Sequence, residues 1–147
     1  MNSCCKPYNA IARIKSNNNN FNIDGTVKFY QKRGFVLIEA KITGLPENNS
    51  GFFGFHIHEG SDCKGELFEN TKGHYNPTDA SHPNHSGDLP SLLLCGSGAY
   101  MTVATDRFSV GEIIGRTVVI HSNADDFTTQ PSGNSGTKIA CGIIEKY

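Results

Sequence analysis

Phe35-Val36-Leu37-Ile38-Glu39-Ala40-Lys41-Ile42-Thr43 is the run that decides the fold class. Ile38, Ala40 and Ile42 alternate with Glu39, Lys41 and Thr43, the two-residue period of a strand with one buried and one wet face. Upstream, Thr26-Val27-Lys28-Phe29-Tyr30-Gln31 is rich in strand formers, and the Asp24-Gly25 pair before it reads as a turn. Ala10-Ile11-Ala12-Arg13-Ile14-Lys15 is a shorter strand, cut off by the asparagines at 17–20, which read as an exposed loop. Downstream, Gly44-Leu45-Pro46 closes the deciding strand, Asn49-Ser50-Gly51 is a turn, and residues 52–59 are extended again. Leu92-Leu93-Leu94 reads either as a strand or as a plug into the core, and Gly96 and Gly98 mark a turn. Ala99-Tyr100-Met101-Thr102-Val103-Ala104-Thr105 alternates, Arg116-Thr117-Val118-Val119-Ile120-His121 is β-branched, and residues 138–144 form a closing strand. No window carries a helical stripe. About eight short strands separated by turn signals predict an all-β sandwich or barrel. With no internal repeat and no linker, residues 1–147 read as a single domain.

A chain of 147 residues is long enough for a real core. Thirteen Lys and Arg against fourteen Asp and Glu leave a net charge of -1, so there is no basic footprint for nucleic acid and no polybasic membrane patch. No apolar run approaches the length of a membrane span. The opening Met1-Asn2-Ser3-Cys4-Cys5-Lys6-Pro7 has no apolar stretch behind a basic one, so the expectation is a cytoplasmic protein. Five cysteines are too few for a disulfide scaffold and odd in number. Cys4 and Cys5 are adjacent in a polar tail. One disulfide among Cys63, Cys95 and Cys141 is open, although a reducing cytosol argues against it.

The six histidines carry the chemistry. His56 and His58 stand two apart on a strand, so both leave the same face, with Phe55 and Ile57 on the other. Two imidazoles on a rigid strand can chelate one metal; the alternative is an exposed pair. Residues 60–90 lose all periodicity, and such a long irregular segment is usually functional or disordered. It holds His74, His82, His85 and Asp88, and three imidazoles with one carboxylate suit tetrahedral zinc. The alternative is a polar loop of low complexity. His121 ends the β-branched strand ahead of Asp125-Asp126, and carboxylates commonly hold the far nitrogen of a ligating histidine. These patterns alone describe a β protein with one or two histidine-rich metal sites and do not name a reaction.

Five motifs in fixed order go further: Gly54-Phe55-His56-Ile57-His58-Glu59, Gly73-His74-Tyr75-Asn76-Pro77, His85-Ser86-Gly87-Asp88-Leu89, residues 114–121, and Gly133-Asn134-Ser135-Gly136 followed by Ala140-Cys141-Gly142. With them the chain resembles the copper-zinc superoxide dismutases over residues 10–144, the intracellular type in particular, and a member from a large DNA virus is within the likeness. The resemblance implies an eight-stranded Greek-key β-barrel, immunoglobulin-like, with a long metal-binding loop. It implies an enzyme that converts superoxide to dioxygen and hydrogen peroxide by alternating reduction and reoxidation of copper. It implies copper on His56, His58, His74 and His121, and zinc on His74, His82, His85 and Asp88, so that His74 is shared and catalytic. Asp125 would tie a copper-side histidine to a zinc-side one, and Cys63 would pair with Cys141. A homodimer is implied as well, through Ile114-Gly115 with Ser50-Gly51 and Gly142-Ile143-Ile144 as neighbouring parts. The alternative is that Ile113 and Ile114 plug the barrel end. The implied setting is cytoplasmic, or host cytoplasm or virion for a viral member.

Three departures stand out. Lys138 occupies the place of the family's usual arginine, keeping the charge that would guide the superoxide anion and losing the planar fork. The loop at 126–132 lacks the charged residues common there. Only two residues separate His82 from His85. The competing function is a metal-handling barrel without turnover, whose signature, a missing copper ligand, is absent. A purely structural interaction module leaves the ligand set unexplained.

Overall fold

A computed structural model describes residues 8–17 and 21–147. Cys4, Cys5 and the asparagines at 18–20 lie outside the described residues. The strands are β1 (Ala10–Ser16), β2 (Asp24–Lys32), β3 (Phe35–Thr43), β4 (Phe52–Phe53), β5 (Phe55–His58), β6 (Leu92–Leu93), β7 (Gly98–Thr105), β8 (Thr117–His121) and β9 (Lys138–Lys146), with a 3-10 turn at Glu69–Thr71 and one α-helical turn α1 (Val110–Ile113). In β3 the alternation holds as read: Val36, Ile38, Ala40 and Ile42 are buried, and Lys41 and Thr43 are exposed.

Seven strands form one antiparallel sheet in the order β5-β8-β9-β1-β2-β3-β7. Phe55 and Ile57 of edge strand β5 enter the same buried cluster as Ile14, Phe29, Ile38 and, from the other edge, Ala99 of β7. A sheet whose two edges share one core has to curl. The two-residue ribbon β4–β6, pairing Phe52 with Leu93 and Phe53 with Leu92, closes the remaining seam. β4 continues into β5 through Gly54, and β6 runs into β7 through a turn in which Cys95 N donates to Gly98 O at 2.7 Å. Counting β4 and β5 as one interrupted strand recovers the expected eight. Leu92 is fully buried and Leu93 exposed, so the leucine run is both strand and core plug. The connections 44–51 and 106–116 carry the chain across the barrel ends, the long crossings of a Greek key.

The Asp24-Gly25 turn is corrected by the structure. Both residues open β2, with Gly25 paired to Ile14 on one side and to Ile42 on the other. A Cβ on Gly25 would lie 2.2 Å from the Lys41 carbonyl oxygen. The glycine permits close approach of strands, its other use besides turns. Cys63 and Cys141 are joined, tying the long loop to β9 across 78 residues, which in the chain-entropy model is worth about 4.5 kcal/mol. Cys95 is free and exposed.

Candidate metal centre

His56 and His58 lie on β5, with the irregular segment against them. Tyr75 N donates to Ile57 O at 2.8 Å, and Ile57 N donates to Gly87 O at 2.9 Å. The segment therefore borrows β5 as a template, which orders it without any periodicity of its own. A Cβ at Gly87 would come within 2.2 Å of Ile57 O, so only glycine lets the loop approach this closely. The bridges His56–Asp88 and His58–His74 bring both sequence-predicted groups together. His121 arrives differently. The β8–β9 register shifts after Ile120, so that Ile120 faces Ala140 and His121 faces Lys138. The irregularity re-aims the strand end beside the site, a common use of bulges.

Two buried clusters result, His56-His58-His74-His121 and His74-His82-His85-Asp88, each with its donor atoms within 4.8 Å of one another. His58 Nδ1 donates to Lys72 O at 2.8 Å, leaving its Nε2 3.2 Å from His121 Nε2. His74 Nδ1 is 2.8 Å from Asp88 Oδ1 and 3.2 Å from His85 Nδ1, while its Nε2 is buried without a partner. His56 and His82 present their Nε2 atoms to the two oxygens of Asp125, each at 2.8 Å. That leaves His56 Nδ1 and His82 Nδ1 buried without a hydrogen bond, one in each cluster, the latter 3.2 Å from Asp88 Oδ2. Buried polar nitrogens without partners are costly. Here they converge with opposed imidazoles, the donor geometry that a cation satisfies. Four imidazoles suit copper, and three imidazoles with a carboxylate suit zinc.

The electrostatics agree. Burial holds the His58 and His121 pKa values well below the usual imidazole value, and neighbouring histidines push the same way. Burial likewise lowers His56, against its hydrogen bond to Asp125. Neutral imidazoles are the ligating form. Burial by itself would raise Asp88 and Asp125, but hydrogen bonds from His74, and from His56 and His82, hold both carboxyls below their ordinary value.

A cleft of about 540 Å³ opens on His58, His74 and His121, with Lys138 and Lys72 on its wall. Lys138 Nζ donates to Thr71 Oγ1 at 2.7 Å and to Lys72 O at 2.9 Å. Lys72 O thus serves both His58 and Lys138. Sequence reasoning missed Lys72, which lies in a segment without periodicity. It also missed the role of Gly133, where a Cβ would meet Asp125 Oδ1 at 1.9 Å and His82 Nε2 at 2.7 Å.

A curled β-barrel carrying two imidazole clusters that share one histidine defines a two-metal protein with a copper-type and a zinc-type half. The family model for copper/zinc superoxide dismutase matches residues 23–144. A Cu-Zn superoxide dismutase of Legionella pneumophila is 36% identical over 129 residues, covering 82% of this chain and 77% of its own. One from Aquifex aeolicus is 34% identical over 135 residues, covering 82% and 78%. One from Ramazzottius varieornatus is 34% identical over 158 residues, covering 94% and 80%. The chain belongs to the copper/zinc superoxide dismutase family. It is an enzyme with copper and zinc as cofactors, and its reaction is the disproportionation of superoxide to dioxygen and hydrogen peroxide.

Proposed function

We propose that His56, His58, His74 and His121 hold the copper of this reaction, that His74, His82, His85 and Asp88 hold zinc, and that His74 and Lys138 act on the substrate side. The observation that carries this is His74, which offers Nδ1 to one cluster and a buried, unpartnered Nε2 to the other. Copper, when bound, supplies the alternation between two oxidation states. His74 Nε2 is the atom at which a proton can be held and delivered to peroxide, while Nδ1 stays on the Asp88 side. Asp125 fixes which nitrogens of His56 and His82 face inward. Lys138 spends two donors on Thr71 and Lys72, leaving one for an anion in the cleft. Residues 1–147 act as one domain. The partner is a second copy of the chain, and the setting is the cytoplasm; no helix among the described residues is long and apolar enough to cross a membrane.

Metal content and dismutation measured on one sample test the site. Wild type should carry copper and zinc, and His121→Ala should keep zinc while losing turnover. A copper-loaded His121→Ala of normal activity would overturn the assignment.

A further inference from the structure

Three of the zinc-side residues sit in residues 82–88, which belong to no strand or helix. Their backbone is held by side chains from elsewhere. Arg107, in the connection between β7 and α1, donates through Nη1 to Pro83 O at 3.1 Å and to His85 O at 3.0 Å, and reaches Asp88 O at 3.5 Å. From the 122–136 loop Gln130 accepts from His82 N at 2.9 Å and donates to His82 O at 2.7 Å. Three carbonyls converging on one point form a concentration of negative dipole, and a guanidinium is the side chain that meets it without ever losing its charge.

We propose that Arg107 is a positioning residue for the zinc half of the centre, presetting the backbone from which His85 and Asp88 project. The proposal rests on the reading of His74, His82, His85 and Asp88 as zinc ligands. A site whose ligands are already placed loses less conformational freedom on binding, so affinity rises without any new metal contact. Only two residues lie between His82 and His85, so this stretch of loop has little backbone of its own with which to fix those side chains. A competing effect has the opposite sign: the positive charge of Arg107 repels a dication. The two effects are separable, because Arg107→Met removes both the charge and the carbonyl contacts, whereas Arg107→Lys keeps the charge and part of the contacts.

The experiment uses the metal-free full chain. Zinc is titrated against a chromophoric chelator, and cobalt(II) in the zinc position reports ligand geometry through its d–d absorption. Arg107→Met should bind zinc more weakly, by roughly 10–100-fold, the usual cost of losing a group that orients ligands, and should shift the cobalt band. Arg107→Lys should fall between it and wild type, and it carries the comparison alone should the methionine variant not fold. The remote, exposed Arg33→Met should match wild type. Equal or tighter zinc binding by Arg107→Met, with an unchanged cobalt spectrum, overturns the proposal. A wild-type chain with no tetrahedral cobalt spectrum overturns the zinc reading itself, and this proposal with it.

Discussion

Lys138, which the resemblance sets in the place of an arginine, has surroundings that say what a lysine does there. Its ammonium is anchored to Thr71 and Lys72 on the wall of the cleft, and burial lowers its pKa, with Glu69 pulling the other way. An ammonium so placed attracts a small anion as long as it is charged. Lys138→Glu should lower kcat/KM by roughly tenfold or more at low ionic strength, and Lys138→Arg should hold or raise it. The sign of the pH dependence follows from the lowered pKa. Charge is lost as pH rises through a value below that of an ordinary lysine, so the wild-type rate should begin to fall at a lower alkaline pH than that of Lys138→Arg, which stays charged throughout. Superposable pH–rate profiles would show that the anion is guided by other groups. The histidines were legible at this scale because they recur at informative spacings. Lys72 was not, since its contribution is a backbone carbonyl, and a carbonyl leaves no mark in a sequence.

Elements were legible wherever periodicity reflects burial. β3, β7 and β8 lie within a residue or two of where alternation places them. Strand signals failed where a glycine does something other than turn the chain, at Gly25 inside β2 and at Gly54, which splits one extended run between two partners. The two irregular loops carried no periodicity because they are ordered by bonds to β5 and to each other. Asp125 is the clearest such bond, joining the 122–136 loop to one histidine of each cluster. Gly133 makes room for it, at a φ of +71°. Two glycines therefore separate two costs. Gly96 has φ +67° and open space around its missing Cβ, so Gly96→Ala should lose only the left-handed penalty, about 1–2 kcal/mol. Gly133→Ala should lose that and also displace Asp125, so its melting temperature should fall further and its metals should leave faster. Chemical denaturation and chelator-driven metal release check both variants. Equal behaviour would mean that the Asp125 bridge does not depend on the space at Gly133.

At the scale of the whole molecule, the proposed pairing with a second copy needs a surface that could carry it. The family-derived expectation placed Ile114-Gly115, Ser50-Gly51 and Gly142-Ile143-Ile144 together; the barrel keeps the first and last adjacent and sets Ser50-Gly51 apart. Thr117 at the start of β8 pairs with His58, and Ile120 pairs with Phe55, so β4 and the preceding Ser50-Gly51 lie toward the opposite end of the barrel from Ile114. Gly142 is buried, with its missing Cβ 2.5 Å from the Arg13 carbonyl, and Ile144 is fully buried. What remains is smaller and continuous. Gly115 N donates to Ile144 O, and Ile144 N donates to Arg116 O, each at 2.8 Å, which sets exposed Gly115 and partly buried Ile114 beside Ile143, 36% exposed. Ile113 is fully buried, so it plugs the barrel end while Ile114 is only partly buried. A two-fold axis near Gly115 would bring this patch against its own copy, where a glycine admits close backbone approach and two isoleucines supply apolar contact. Light scattering of the metal-loaded chain should therefore give about twice 16.0 kDa. Ile114→Asp should give a monomer that keeps copper and zinc, because the side chain lies outside both clusters. A wild-type chain that stays monomeric at micromolar concentration would remove the dimer and leave the metal-site assignments untouched, since every proposed ligand comes from one chain.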